Sequence, residues 1–191
     1  MALMSDAAAP SWTIAPEPAA SAVARALLRE YYTDVADRYY VLHEGRRSTP
    51  EEIDEGVAEY PSDALMPPHG VLLVARYGGE PVGCAGVRLL DARTAELKQV
   101  FVRPDLRGLG AAGRLLRAAE AAAARLGAER IRLDTRLDLT EAVALYRRRG
   151  YVEIAPYHDD RYAEIFFEKR LVGMGTGTEA GAGAADTAVG R

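Results

Sequence analysis

The stretch Arg107-Gly-Leu-Gly-Ala-Ala-Gly113 has a spacing that speaks directly of chemistry. Its glycines let the backbone come close to a bound group. Behind them an apolar-striped helix begins, and the N–H groups of its first turn have no carbonyl partners inside the helix. Those donors and the positive end of the helix dipole make an anion site, so a phosphate-bearing ligand is the first expectation. Two phosphate readings use these residues. Gly108, Gly110 and Gly113 spell G-x-G-x-x-G, with Asp134 about one helix further on, as in a dinucleotide fold that grips pyrophosphate and ribose. In that fold the first glycine follows its strand directly, whereas Arg103, Pro104, Asp105, Leu106 and Arg107 intervene here. The other reading takes in Arg107: Arg-x-x-Gly-x-Ala from Arg107 through Gly110 to Ala112, behind Val-Phe-Val-Arg-Pro.

That second pattern resembles the acetyl-CoA-binding motif of the GNAT superfamily of N-acetyltransferases. A later segment, Glu141-Ala-Val-Ala-Leu-Tyr146 followed by Gly150-Tyr151, is similar to a further element of the same superfamily. The resemblance runs from about Trp12 to Leu171 and implies acetyl-CoA as donor, with direct transfer to a primary amine of a small molecule or a protein. It implies that the backbone of Arg107, Gly108, Leu109, Gly110, Ala111, Ala112 and Gly113 holds the pyrophosphate. Val100, Phe101 and Val102 would pair with the pantetheine amides as an added strand does, and one of their N–H groups could polarise the thioester carbonyl.

The resemblance further implies that Glu96 draws a proton from the amine through water, and that Tyr146 protonates the departing thiolate. A phenol, with an ordinary pKa of about 10, is protonated at neutral pH and can donate. Each has a competing structural reading. Glu96 could be a surface carboxylate paired with a neighbouring arginine, Tyr146 a core residue following Leu139, Ala142 and Val143, and Arg107 an ordinary solvated arginine. One position departs from the family pattern: Leu139 stands where many relatives carry an asparagine that bonds the cofactor arm. For the acceptor, the aromatic and acidic sets Tyr31, Tyr32, Asp34 and Tyr157, His158, Asp159, Asp160, Tyr162 suit a cationic amine. Two other functions stay open: a non-catalytic acyl-CoA-binding module, which needs neither Glu96 nor Tyr146, and a nicotinamide-dependent oxidoreductase.

The elements that must position these groups follow from periodicity. The spacing predicts a first strand over Trp12 to Ala15 and a helix from Ser21 with Ala24, Leu27, Leu28, Tyr31 and Val35 on one face, Tyr39 and Tyr40 lying at or beyond its end. Thr49-Pro50-Glu51-Glu52 is a capping-box start for a second helix, and residues 61–70 read as a loop. Strands over Val71 to Tyr77 and Val82 to Leu90 are joined at Gly78-Gly79 as a hairpin, and a third, Leu97 to Val102, leads into the glycine loop. A helix from Ala112 ends at Gly127, a strand over Ile131 to Asp134 pairs parallel to its predecessor, and a helix near Thr140 to Arg149 stops at Gly150. Strands near Val152 to Ala155 and Ala163 to Leu171 complete the chain. The order predicts a mixed α/β fold. The resemblance adds a mostly antiparallel sheet with two splayed central parallel strands and helices on both faces.

With 191 residues the chain suits one domain, expected over 12–172, between a flexible arm over 1–11 and a glycine- and alanine-rich disordered tail over 173–191. A formal charge of −4 offers no broad attraction to nucleic acid or anionic membrane. No segment reaches the length of a membrane span, and the start lacks a basic, then apolar leader, so a cytoplasmic protein is expected. Cys84, the single cysteine, excludes an internal disulfide and reads as a small core residue. His43, His69 and His158 lack metal-ligand spacing, and no metal is expected. The chain is expected to be a monomer or homodimer.

Overall fold

The computed structural model describes residues 10–60 and 62–171. The arm expected over 1–11 lies almost wholly outside these residues, and the tail over 173–191 entirely so. In chain order the elements are β1 (Trp12–Pro16), α1 (Ala22–Glu44), α2 (Pro50–Glu59), a short 3-10 turn (Ser62–Leu65), β2 (Gly70–Tyr77), β3 (Glu80–Leu89), β4 (Thr94–Val102), a second 3-10 turn (Pro104–Leu106), α3 (Ala111–Arg125), β5 (Arg130–Thr135), α4 (Thr140–Arg148), β6 (Val152–Ile154) and β7 (Ile165–Arg170).

The strands form one seven-stranded sheet in the order β1-β2-β3-β4-β5-β7-β6. Every neighbouring pair is antiparallel except β4 and β5. Their parallel ladder is short: Thr94, Ala95 and Glu96 pair with Arg130, Ile131 and Arg132, and then the strands part. From Leu97 to Val102, β4 therefore keeps a ladder on its β3 side and has none on the other. The splay implied by the resemblance is present, and a sheet with a single parallel pair is not the doubly wound parallel sheet that the dinucleotide reading requires.

Successive side chains of a strand point to opposite faces, and the two faces carry different helices. Leu73, Ala75, Val87, Ala95, Leu97, Ile131, Leu133 and Phe167 pack with α3 and with Val143 and Tyr146 of α4. Leu72, Val74, Cys84 and Phe101 pack with Ala24, Leu27 and Leu28 of α1. Leu115 and Leu116 are completely buried, and burying each side chain contributes about 1.5–3 kcal/mol. The small buried alanines on either side of them, Ala111, Ala119, Ala122 and Ala123, let α3 sit close on the sheet.

Helix ends follow local chemistry. Ser21 caps α1 by accepting from Ala24 N at 3.0 Å. At α2, Glu52 N donates to Thr49 Oγ1 at 3.3 Å and Thr49 N donates to Glu52 Oε2 at 2.7 Å, the capping box expected from the sequence. Three departures from expectation bear on the site. First, α1 continues past Tyr39 and Tyr40 to Glu44 and stops at Gly45, whose φ is 68°. Its second half is only partly buried because it spans a cavity rather than a packed core. Second, the loop over 61–70 contains a 3-10 turn that seats Leu65 in the α1-side core. Third, β4 is not a regular strand. Cys84 lies opposite Phe101 but Gly86 opposite Lys98, so Ala85 faces both Gln99 and Val100. This is a β-bulge, with Gln99 at φ 53°. The bulge turns Lys98 and Gln99 toward the same cavity.

Candidate active site

Where β4 and β5 part, a cleft of about 430 Å³ opens. Leu97 to Val102 form one wall, Arg107, Gly108, Gly110 and the first turn of α3 close one end, and Leu139, Ala142, Leu145 and Tyr146 of α4 form the other wall. Arg114 N donates to Gly110 O at 3.2 Å as the first hydrogen bond of α3, which leaves the amides of Ala111, Ala112 and Gly113 without helical acceptors. Gly108 and Gly110 have φ of 84° and 80°, and a Cβ on either would meet nothing within 4 Å. Glycine is needed there for backbone conformation, and the space beside it is open. Of the loop residues predicted to hold pyrophosphate, Leu109 alone is outside the cleft lining, with its side chain exposed.

Arg107 is exposed but not free. Its Nε donates to Val102 O at 2.9 Å and its Nη2 to Asp34 Oδ2 at 2.8 Å, so it ties the glycine loop to the end of β4 and to α1. Tyr146 is placed both in the core and on the cleft wall. Its ring packs against Tyr151 and Phe167, yet the residue also lines the cleft, and its hydroxyl takes no protein partner among the described residues. Burial, reinforced by the negative charge of Asp134, pushes its pKa above the ordinary phenol value. Leu139 stands at the N-cap of α4 and makes no side-chain cap bond.

Glu96 has a different setting from the one expected. It is completely buried. Its Oε2 accepts from Arg88 Nε at 2.7 Å and lies 2.6 Å from Arg88 Nη2, while its Oε1 accepts from the Tyr157 hydroxyl at 2.9 Å. Arg88 is its direct cross-strand partner on β3. The arginine-paired reading of Glu96 is thus realised, but inside the protein rather than at its surface. Glu96 lines neither the cleft nor the cavity that meets it; it lines a recess with Arg88, Tyr157, His158 and Asp159 that adjoins the cavity at Glu59, Tyr60, Lys98, Gln99 and Asp160. Burial, followed by the charge of Glu96, raises the Tyr157 pKa.

A second cavity, of about 240 Å³, meets the cleft from the α1 and α2 side. Tyr31, Tyr32, Tyr39, Tyr40, Tyr60 and Tyr162 line it, with the carboxylates of Glu52, Glu55, Glu59, Asp134 and Asp160. Tyr31 and Tyr32, two of the aromatic residues singled out in the sequence, are among this lining. Tyr157 and Asp159 are not in this cavity but in the recess with Glu96, because the segment after β6 carries them past the cavity mouth. Polar bonds brace the tyrosines: Gln99 Nε2 donates to Tyr32 Oη at 2.9 Å, and the Tyr60 hydroxyl donates to Asp160 Oδ2 at 2.8 Å. The Tyr32 pKa is pushed up to about 12, mainly by burial.

Cleft and cavity share Tyr31, Val35, Lys98, Gln99, Asp134, Thr135 and Leu139. Sequence reasoning missed most of this junction. Asp134 drew notice only as a ribose-binding acid, and Lys98 and Gln99 not at all, since the bulge that brings them to the junction leaves no compositional trace. Lys98 Nζ lies 3.4 Å from Asp134 Oδ1, and His158 Nε2 lies 3.3 Å from the same oxygen. Donor atoms of Glu96, Asp134 and His158 lie within 4.8 Å of one another, a spacing that could hold a metal ion. Arg88 and Lys98 already neutralise its two carboxylates, which disfavours a further cation. Cys84 is buried, with its thiol pKa raised to about 12 by burial, as suits a core residue.

A helix N-terminus facing a gap between parting parallel strands, with a second cavity meeting that gap halfway, is the layout of an acyl-CoA-dependent transferase. The model of the Acetyltransferase (GNAT) family matches residues 22–151. An uncharacterized N-acetyltransferase of Schizosaccharomyces pombe is 31% identical over 130 residues, covering 67% of this chain and 79% of the relative. An IAA acetyltransferase of Azospirillum brasilense is 31% identical over 134 residues, covering 63% of this chain and 87% of that protein. Among solved structures, an acyl-CoA N-acyltransferase from Klebsiella pneumoniae superposes with a TM-score of 0.61 at 27% identity, covering 84% of this chain and 98% of its own. A GNAT acetyltransferase from Elizabethkingia anophelis with acetyl-CoA bound shares the fold, with a TM-score of 0.55 at 20% identity over 84% of this chain and 98% of its own. The chain belongs to the GNAT acetyltransferase family. It is an N-acetyltransferase that uses acetyl-CoA. Among the described residues, no helix is long and apolar enough to cross a membrane.

Proposed function

We propose that this enzyme transfers the acetyl group directly from acetyl-CoA to a primary amine of a small cationic molecule. The observation that carries this reading is the meeting of the cleft and the tyrosine-lined cavity at Lys98, Gln99, Asp134 and Thr135. In this reading the free amides of Ala111, Ala112 and Gly113 receive the pyrophosphate, with Arg107 holding their loop against β4. The pantetheine arm lies along the free edge of Val100, Phe101 and Val102, where an N–H can polarise the thioester carbonyl. The amine enters from the other side, its ammonium favoured by tyrosine faces and carboxylates. Tyr146 gives its proton to the thiolate as the carbon–sulfur bond breaks. Glu96, implied as the base, acts instead at one remove: Arg88 and Tyr157 occupy its oxygens, and it holds Tyr157 in place. Tyr157 and Asp159 line a recess that shares Glu59, Tyr60 and Asp160 with the acceptor cavity, and there they could receive the far end of a longer acceptor.

Melting with acetyl-CoA and with NAD(P), followed by an amine panel read through release of free CoA thiol, tests the proposal. At a hundred times its dissociation constant acetyl-CoA stabilises the protein by about 2.7 kcal/mol, NAD(P) gives no shift, and cationic primary amines release thiol faster than neutral or anionic ones. Acetyl-CoA binding without turnover of any amine would make the chain a binding module; a preference for anionic amines would overturn the acceptor reading.

A further inference from the structure

We infer that Asp134, rather than Glu96, is the carboxylate that takes the surplus proton from the incoming ammonium, an assignment that rests on the direct-transfer reading of this site. Place argues for it first. Asp134 lies on β5 two residues past Arg132, where the parallel ladder ends, and it lines both the cofactor cleft and the acceptor cavity; Glu96 lines neither. Availability argues next. Asp134 Oδ1 is held by Lys98 at 3.4 Å and His158 at 3.3 Å, while its Oδ2 takes no protein partner among the described residues. Both oxygens of Glu96 are already bonded, and its side chain is 0% exposed against 17% for Asp134.

His158 acts through Asp134. Its Nδ1 accepts from Asp160 N at 3.3 Å, so in the neutral ring the proton is on Nε2, the atom facing Asp134. In that tautomer His158 has no free lone pair to offer an ammonium. It is a positioning residue, donating to Oδ1 and leaving Oδ2 to accept. Lys98 meets the same oxygen and likewise leaves Oδ2 open.

The proton count closes. Asp134 Oδ2 takes one proton from R–NH3+ and releases it to solvent. The amine lone pair forms the carbon–nitrogen bond, and the carbonyl π electrons move to oxygen. As they return, the carbon–sulfur bond breaks and the thiolate takes the Tyr146 proton. The nitrogen, cationic after attack, gives up a second proton that restores the phenol. The products are the amide, CoA thiol and one proton in solution.

The test compares Asp134→Asn and Glu96→Gln with two acceptors, an alkylamine that is protonated at pH 7 and an alkoxyamine that is neutral there. For Asp134→Asn, turnover of the alkylamine falls by about 10²–10⁴-fold, turnover of the alkoxyamine by less than about tenfold, and calorimetric binding of acetyl-CoA is unchanged. Its alkylamine rate climbs with pH as the amine loses its own proton. Glu96→Gln, which loosens Tyr157, slows both acceptors by the same factor. If Asp134→Asn misfolds, Asp134→Ala with added formate serves instead, and the expected result is partial recovery of alkylamine turnover. Equal losses for both acceptors in the Asp134 variant, or an acceptor-dependent loss in Glu96→Gln instead, would overturn the assignment. Wild-type protein that binds acetyl-CoA and acetylates neither amine would overturn the transferase reading itself.

Discussion

Replacing Tyr146 by phenylalanine removes one oxygen atom and isolates its role. The ring contacts survive: centroids lie 5.7 Å from Tyr151 and 6.1 Å from Phe167, and the residue is buried at 6% exposure. The lost hydroxyl has no protein hydrogen bond among the described residues, so no partner is orphaned, and unfolding free energy should change by less than about 0.5 kcal/mol. Catalysis should respond differently. A positioned acid is worth about 10²–10⁴ in rate, or about 2.7–5.4 kcal/mol of barrier at 1.36 kcal/mol per tenfold. Thiol release under saturating acetyl-CoA and amine measures kcat, and denaturant unfolding measures stability in the same preparation. The defect should shrink with a thioester whose leaving thiol is more acidic, because that thiolate needs less help to depart. Burial holds the phenol pKa above its ordinary value of 10.0, so the wild-type rate should not fall through phenol ionisation below about pH 10. A Tyr146→Phe enzyme working at the wild-type rate with unchanged stability would show that Tyr146 serves packing alone.

Two further outcomes test the frame around the site. A Cβ at Gly83 would lie 2.4 Å from Phe101 O, a backbone atom of the bulged strand, whereas at Gly86 it would meet the Leu65 side chain at 2.6 Å. Overpacking costs about 1–3 kcal/mol; Gly86→Ala should fall within that range because Leu65 can shift, and Gly83→Ala at or beyond its top with weaker acetyl-CoA binding, as denaturant unfolding and calorimetry would show. An equal, small cost for both would contradict the close approach of β3 and β4. At α2, bonds from the Arg46 guanidinium and then from Thr49 N lower the Glu52 pKa from 4.5 to about 2. A depressed carboxylate stabilises the fold above its unfolded pKa and loses that contribution as pH falls through the folded one. Thermal stability should therefore drop between about pH 4.5 and pH 2, and Glu52→Gln should flatten that portion of the curve; an unchanged slope would remove the capping box from the acid response.

The sequence by itself determined what depends on a residue and its near neighbours. Gly108 and Gly110 mark left-handed backbone that other residues adopt only at a cost, Thr49 with Glu52 marks a helix start, and Gly127 and Gly150 mark the turns after helices, so the glycine loop and the ends of α2, α3 and α4 were legible. The mixed sheet followed from the order of strand and helix patterns, with the splay supplied by the resemblance. Only the tertiary structure decided which carboxylate is open for work. Glu96 is occupied because the β3–β4 register sets Arg88 directly across from it, and a register shift of one residue would have turned it to the other face. Asp134 is available because β5 diverges from β4 after three residue pairs and brings it beside Lys98, 36 positions away, and His158, 24 away. The reach of α1 to Glu44 and the bulge at Gln99 were likewise unreadable, since a half-buried helix over a cavity has little apolar stripe and a bulge changes register without changing composition. Local conformational demands select residue types, and those can be read along a chain; the charges that face one another are set by strand pairing, which can be read only across it.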